Sequence, residues 1–437
     1  MCLMCFLRDN YQYNLRKSAR YRSDRFEQTL MIYKKTFITK FIEEKDKDIC
    51  SEYNNDINNN IKMCIKQIGI KEIDEFFNNI IDIYFNWINS CTSKSINEFK
   101  EILEKYKILS LKKSILNLTL FRGRKSENLI SKWDMFHIPF NKRYKIANER
   151  YSLIGQPLLY LAKSPYCVFS ELGDMENIWI SSFYFKDSVK KEEVFDNTNH
   201  FERYIMNNQS LKSSEDIDSM VDTKKHQLTY NEIKRLFFQF ILSSCCSFSK
   251  YAEEYNFCEE YVLPQILAQI LKEKKIKGVM YKSTKIYKNI NPEIKINDDL
   301  IDLLSCNICL FTNYDHKKID DGTYVYDHKL YNKFEISTPI LIKSESDNDV
   351  LGLDNSIDII INIMQEFFEK RAYLDIISGS NKSIMRELIL TVLLYKKHDG
   401  DIDKCYNQSM KLHFFMIKNI ILDIVDNINY RRLANNE

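Results

Sequence analysis

Seven side chains in the middle of the chain carry chemistry that a plain core does not need. Arg122 and Arg150 offer planar, always-charged guanidinium forks that match phosphate oxygens two at a time. Tyr151 and Tyr160 offer aromatic faces that stack on a ring or attract a cation. Glu171 is a carboxylate able to accept from ligand hydroxyls and to stabilise positive charge that develops as a bond breaks. Ser283, just after a short strand-like run, can position a phosphate group, and His137 can contact a ligand. Each has a plainer reading. Arg122 also reads as a surface charge at the end of a strand, and Tyr160 as core in an alternating run. Glu171 also reads as a solvated residue on a helix whose other face is apolar (Tyr166, Val168, Phe169). His137, beside Phe136 and Pro139, also reads as a satisfied structural group.

The elements that must hold these residues are marked by where glycine and proline are spent. The chain has 9 Gly, about 2% of its 437 residues, and 6 Pro. Gly123, Gly155, Gly173, Pro139, Pro157 and Pro165 all fall within 121–173, so the backbone there must turn tightly or approach something closely. Upstream, 24–110 reads as helices, with Ile73, Phe76, Phe77, Ile80, Ile81, Tyr84 and Ile88 on one face and a polar loop over 56–60. Downstream of about 346 the pattern is helical again, with helices expected over 384–396 and 403–431. Between these flanks short β-rich runs dominate, at 118–121, 158–162, 178–185, 278–281 and 307–312, with helices at 166–172 and 259–274. The expectation is an α+β centre at 116–345 between a helical N-terminal region, 1–115, and a helical C-terminal region, 346–437. The charged stretch 186–250 reads as an insertion in the centre, and its run at 186–196 as solvated loop or helix.

The ordered string LFRGR (120–124), MFHIPFNKRYKIANERYSLIGQPLLYLAKSPYCVFSELG (135–173), YVLPQILAQILKEKKIKGVMYKST (261–284) and NICLFTNYDH (307–316) resembles the RES domain, named for an Arg, a Glu and a Ser. The middle block carries most of the likeness: an Arg-aromatic pair, a glycine, P-x-x-Y-L-A-x-S, then a helix bearing Glu. The resemblance implies an ADP-ribosyltransferase-like core that cleaves the nicotinamide–ribose bond of NAD+. The acceptor would be inorganic phosphate, as in an NAD+ phosphorylase, or water, as in a glycohydrolase. It also implies a toxin that depletes NAD+ and an antitoxin protein that silences it. In those roles Arg122, Glu171 and Ser283 are catalytic, and Arg150, Tyr151, Tyr160 and His137 bind NAD+. NAD+ is then the substrate, and neither a cofactor nor a metal is expected. Two other readings stay open: transfer of ADP-ribose to a macromolecule, and a non-catalytic interaction or sensor protein.

The rest of the sequence removes alternatives. No G-x-G-x-x-G, P-loop, H-E-x-x-H or G-x-S-x-G is present, so Rossmann, NTPase, zinc-protease and α/β-hydrolase chemistry lose their usual support. Lys plus Arg (63) nearly cancels Asp plus Glu (61), which argues against a nucleic-acid partner held by net charge. No run approaches the roughly 18 apolar residues of a membrane span, and the expected location is the cytoplasm. The 12 Cys read as buried thiols of a reducing compartment. Cys2-x-x-Cys5 and Cys306-x-x-Cys309 have metal-ligand spacing, but the second lies in a strand-like apolar run and the first lacks a nearby second pair. The amphipathic flanks also suggest a homo-oligomer.

Overall fold

A computed structural model describes residues 1–116, 118–172, 178–206, 228–251, 257–285, 305–315, 325–337 and 339–342. The helices expected beyond 346 lie outside these residues. The protein is α+β, and its chain divides into two compact units. The first comprises Met1–Lys113, Lys142–Pro157 and the described residues from Glu193 to Tyr287. The second comprises Ser114–Asn141, Leu158–Glu192 and the described residues after Lys288.

The first unit begins with six helices: α1 (Leu3–Phe6), α2 (Asp9–Tyr21), α3 (Phe26–Glu44), α4 (Asp56–Lys66), α5 (Ile70–Ile88) and α6 (Thr92–Lys105). The apolar stripe of α5 is buried from Ile73 to Tyr84 and runs out at Ile88, which is exposed. The polar run at 56–60 is helix rather than loop. The Asn55 side chain accepts from Asn58 N at 2.8 Å and starts α4, Asp56 complements the dipole of its first turn, and Asn58 buries its amide against Tyr53 O.

The described residues of 186–250, a stretch expected to be an insertion, supply core. β1 (Lys112–Ser114) lies beside β5 (Glu193–Asp196), and β5 runs parallel to β6 (Gly278–Lys282), with Phe195 opposite Val279. Val194, Phe195 and Asp196 are buried, so the charged run ends in a strand. After α8 (His200–Met206) comes α9 (Tyr230–Cys245), opened by a capping box between Thr229 and Glu232. Every residue from Leu236 to Cys245 in α9 is buried, with Phe238 5.0 Å from Phe76 and Phe237 5.4 Å from Phe41 between ring centroids. α10 (Val262–Glu273) ends where Lys275 takes a left-handed conformation (φ 58°), so that Ile276 N reaches Leu271 O at 2.9 Å and the chain turns into β6.

In the second unit β7 (Cys306–Phe311), β3 (Leu158–Ala162), β2 (Leu120–Lys125), β4 (Ile178–Phe185) and β8 (Phe334–Ile336) pair in that order, and β9 (Ile340–Ile342) also pairs with β4. The described pairings among them are antiparallel. α7 (Pro165–Leu172) packs on β2 and β3, and α11 (His328–Tyr331) precedes β8. β2 does not stop at Phe121, where the apolar run ends. It continues through Arg122, Gly123 and Arg124, which lie opposite Ser181, Ile180 and Trp179 of β4. Gly123 permits this. A Cβ there would stand 2.8 Å from Leu172 Cδ1 and closer still to Val168 Cγ1, so only glycine lets α7 lie this close to the strand. Gly155, in the first unit, serves the other use of glycine, a turn at φ 79°.

Candidate functional site

Four of the seven candidate residues belong to the second unit. Arg122 lies in mid-strand, and its Nη1 donates to the carbonyl of Tyr160 on the neighbouring β3 at 2.6 Å. Side chains alternate across a strand, so Arg122 leaves β2 on the face opposite to Gly123 and α7. Tyr160 shares the face of Ala162, and Ala162 sits opposite Asn307 of β7. Asn307 is a clamp for Glu171. Its Nδ2 donates to Glu171 Oε1 at 2.8 Å, while its Oδ1 accepts from the Cys167 thiol one helical turn earlier, at 3.2 Å. Glu171 stays half-exposed while one of its oxygens is fixed. Arg122 and Glu171 therefore stem from opposite faces of one sheet, an arrangement the linear string does not reveal.

His137 is fully engaged. It is 1% exposed, its Nδ1 bonds Ile138 O at 2.8 Å, and its Nε2 accepts from Asp327 N at 2.9 Å. That acceptor role requires Nδ1 to carry the proton. Burial, with the Arg122 charge adding to it, pushes the imidazole down to about 4, so the ring is neutral at ordinary pH. With both nitrogens committed to backbone, His137 is a structural group and not the ligand contact expected of it. The aromatic cluster around it is dense, with Trp133 stacked on Tyr331 at 3.7 Å and 12°.

The other three candidates belong to the first unit, and two have structural work. Arg150 is buried, with Nη1 donating to Cys246 O at 2.8 Å and Nη2 to Phe248 O at 3.0 Å and Thr284 Oγ1 at 2.9 Å. Its guanidinium lies 4.8 Å from the Tyr261 ring centroid. The fork expected for phosphate instead holds the turn that follows α9. Tyr151 is 2% exposed, accepts from Asn197 Nδ2 at 3.1 Å and packs on Tyr281 at 4.6 Å, so neither face is open to a ligand ring.

Ser283 is different. It follows β6 as expected and lines a narrow polar cleft with Asp9, Tyr13, Arg16, Ser243, Ser244, Ser247, Lys282 and Thr284. Arg16 is buried there, and its Nε has no hydrogen-bond partner. Lys282 Nζ stands 3.7 Å from Asp9 Oδ2, the only carboxylate of the lining, so two cations face one anion across five hydroxyl-bearing neighbours of Tyr13. The free volume is about 20 Å³, space for one or two water-sized groups, which admits phosphate oxygens and excludes a ring. Sequence reasoning missed Arg16 and the serines of α9. The available signal was an Arg on the buried face of α2, between Tyr13 and Ala19.

One group of described residues has metal-ligand spacing, the Cys2–Cys5 pair of the sequence joined by a third cysteine that the sequence did not connect to it. Cys50 comes to Cys2 and Cys5, with sulfur separations of 3.5 and 3.8 Å, and Cys2 and Cys5 stand 3.6 Å apart. Cys306 and Cys309 are buried on β7, as the apolar run implied.

No helix of the described residues is long and apolar enough to cross a membrane. No protein-family model and no solved structure matches the chain. Over an alignment of 222 positions that covers 47% of the chain, it is 28% identical to a Bacillus subtilis (strain 168) protein named "Putative toxin YopC". The match spans 46% of that protein, so the likeness covers under half of either chain.

Proposed function

We propose that the chain is a toxin that cleaves the nicotinamide–ribose bond of NAD+, through a RES-type, ADP-ribosyltransferase-like core. The observation that carries the reading is the Ser283 cleft. It has net positive charge and a buried Arg16 Nε with no partner, a setting suited to phosphate oxygens. The toxin name of the B. subtilis relative supports the biological half. Glu171, held by Asn307 yet still half-exposed, suits stabilisation of the ribosyl cation. In the reaction the C1′–N bond breaks and its electron pair leaves with neutral nicotinamide. An oxygen of phosphate, or of water, forms the new bond to C1′ and gives ADP-ribose 1-phosphate or ADP-ribose. An antitoxin partner fits the toxin role, and the cytoplasm supplies the substrate.

The test is to incubate the full chain with NAD+, with and without inorganic phosphate, and to follow nicotinamide and ADP-ribose products by chromatography with mass detection. The reading expects nicotinamide release, reduced on the order of 100-fold in Glu171→Gln and in Arg16→Met, the loss typical of one charge-stabilising group. Phosphate-dependent release identifies a phosphorylase, and phosphate-independent release a glycohydrolase. A macromolecular ADP-ribose adduct would replace the proposed acceptor. Absence of turnover in folded protein would favour a non-catalytic interaction protein, a reading that the internal engagement of Arg150, Tyr151 and His137 also suits.

A further inference from the structure

Cys2 caps the start of α1, Cys5 lies within it, and Cys50 stands beyond α3, more than forty residues away. The three sulfurs form a nearly equilateral triangle with edges of 3.5, 3.6 and 3.8 Å. A disulfide would hold two of them about 2.05 Å apart. A tetrahedral zinc ion with Zn–S bonds of about 2.3 Å holds its sulfurs about 3.8 Å apart, close to what is seen. An ion 2.3 Å from each sulfur would sit about 1 Å out of their plane, leaving one tetrahedral position over. Core packing does not demand the convergence, because Cys5 and Cys50 are only partly buried.

We propose that Cys2, Cys5 and Cys50 bind one zinc ion as thiolates, with a solvent molecule as fourth ligand. Among the described residues no other His, Cys, Asp or Glu joins the group. Binding releases three thiol protons and leaves a complex of net charge −1. The ion staples the first helix to the segment after α3. Arg8 already bridges the same two segments, because its Nη1 donates to Tyr53 OH at 2.8 Å. Leu3, Met4, Phe6 and Leu7 are completely buried, so the staple secures an apolar plug that α1, at four residues, is too short to hold by helix formation alone. The site is independent of NAD+ chemistry.

The experiment is metal analysis of the full chain, expressed with zinc in the medium and purified without chelator, by native mass spectrometry and elemental analysis. One zinc per chain is expected, released in proportion as a thiol-specific mercurial titrates the protein. Cys50→Ser should lower the zinc content at least tenfold, and Cys91→Ser should retain it. Cobalt substitution should give the visible bands of a tetrahedral ion with thiolate charge transfer. If Cys50→Ser fails to fold, the mercurial release and the cobalt spectrum of the unaltered protein decide. Metal-free folded protein, a mass two hydrogens light from a Cys2 or Cys5 disulfide, or zinc retained without Cys50 would each overturn the proposal.

Discussion

Replacing Gly123 by alanine tests whether the close approach of α7 to β2 is what positions Glu171. The added Cβ would meet Leu172 Cδ1 at 2.8 Å and Val168 Cγ1 at a shorter distance. Ordinary carbon contacts are about 3.5–4.0 Å, so roughly 1 Å of relief is needed. Leu172 Cδ1 is the tip of a flexible side chain and can swing away. Val168 is β-branched and held in one rotamer within a helix, so α7 itself must back off. Overpacking of this kind costs about 1–3 kcal/mol. The assay is urea unfolding of Gly123→Ala, Val168→Ala and the double variant, with amide exchange read at α7 and β2. The double variant should be more stable than the sum of the single losses predicts, by about 1 kcal/mol, because Val168→Ala removes the colliding methyl. Under the proposed NAD+ cleavage, turnover should fall in Gly123→Ala and recover partly in the double variant. Strict additivity with unchanged exchange at α7 would refute the claim that this contact sets the position of the helix.

Three more outcomes follow from geometry already described. Glu202 (side chain 3% exposed) pairs with Arg8 and accepts from Asp9 N, so Glu202→Ala strands a nearly buried guanidinium and should cost about 3–5 kcal/mol in denaturant unfolding. Lys275 is left-handed at φ 58°, where glycine is unstrained, so Lys275→Gly should stabilise by about 1 kcal/mol and raise the Tm. His137 is held neutral, with its folded pKa lowered from 6.5 to about 4. The unfolded chain therefore takes up the proton first, and stability should fall as pH drops from about 6.5 to 4 and level off below. The loss is on the order of 3 kcal/mol, and it should be largely absent in His137→Gln when unfolding is measured across that window.

The strands over 158–162 and 178–185 were legible because short runs rich in apolar, β-branched and aromatic residues have few other readings. The α5 stripe was legible for the same kind of reason. β2 was legible only at its start, within the run 118–121, because its arginines and glycine look like a strand's end until α7 is seen to need Gly123 bare. α9 was hidden by the charged residues around it. Its own 16 residues include serines, Gln239 and Arg235 among the phenylalanines, and this blurs the amphipathic signal of a helix buried nearly all round. At the candidate site, residue type was readable and employment was not. A sequence shows that Arg150 has a fork, but only the fold shows that Cys246 and Phe248 present their carbonyls to it. The same holds for Cys50, whose meeting with Cys2 and Cys5 is set by the length of α3 and the turn after it.

The first unit draws its core from segments that are far apart in the chain, and synthesis delivers them at different times. α5 and α6 leave the ribosome well before α9, whose aromatic face completes their packing; 125 residues separate Lys105 from Tyr230. At about 5–20 residues per second that interval is on the order of 10 s. For that time Phe76 and Tyr106 lack Phe238 to pack against, and a partially made chain presents a sticky aromatic surface. A translation pause or rare-codon cluster between 105 and 230 should therefore lower soluble yield more than one placed after 285. The nascent chain, and not the finished protein, is where a chaperone would find its binding site.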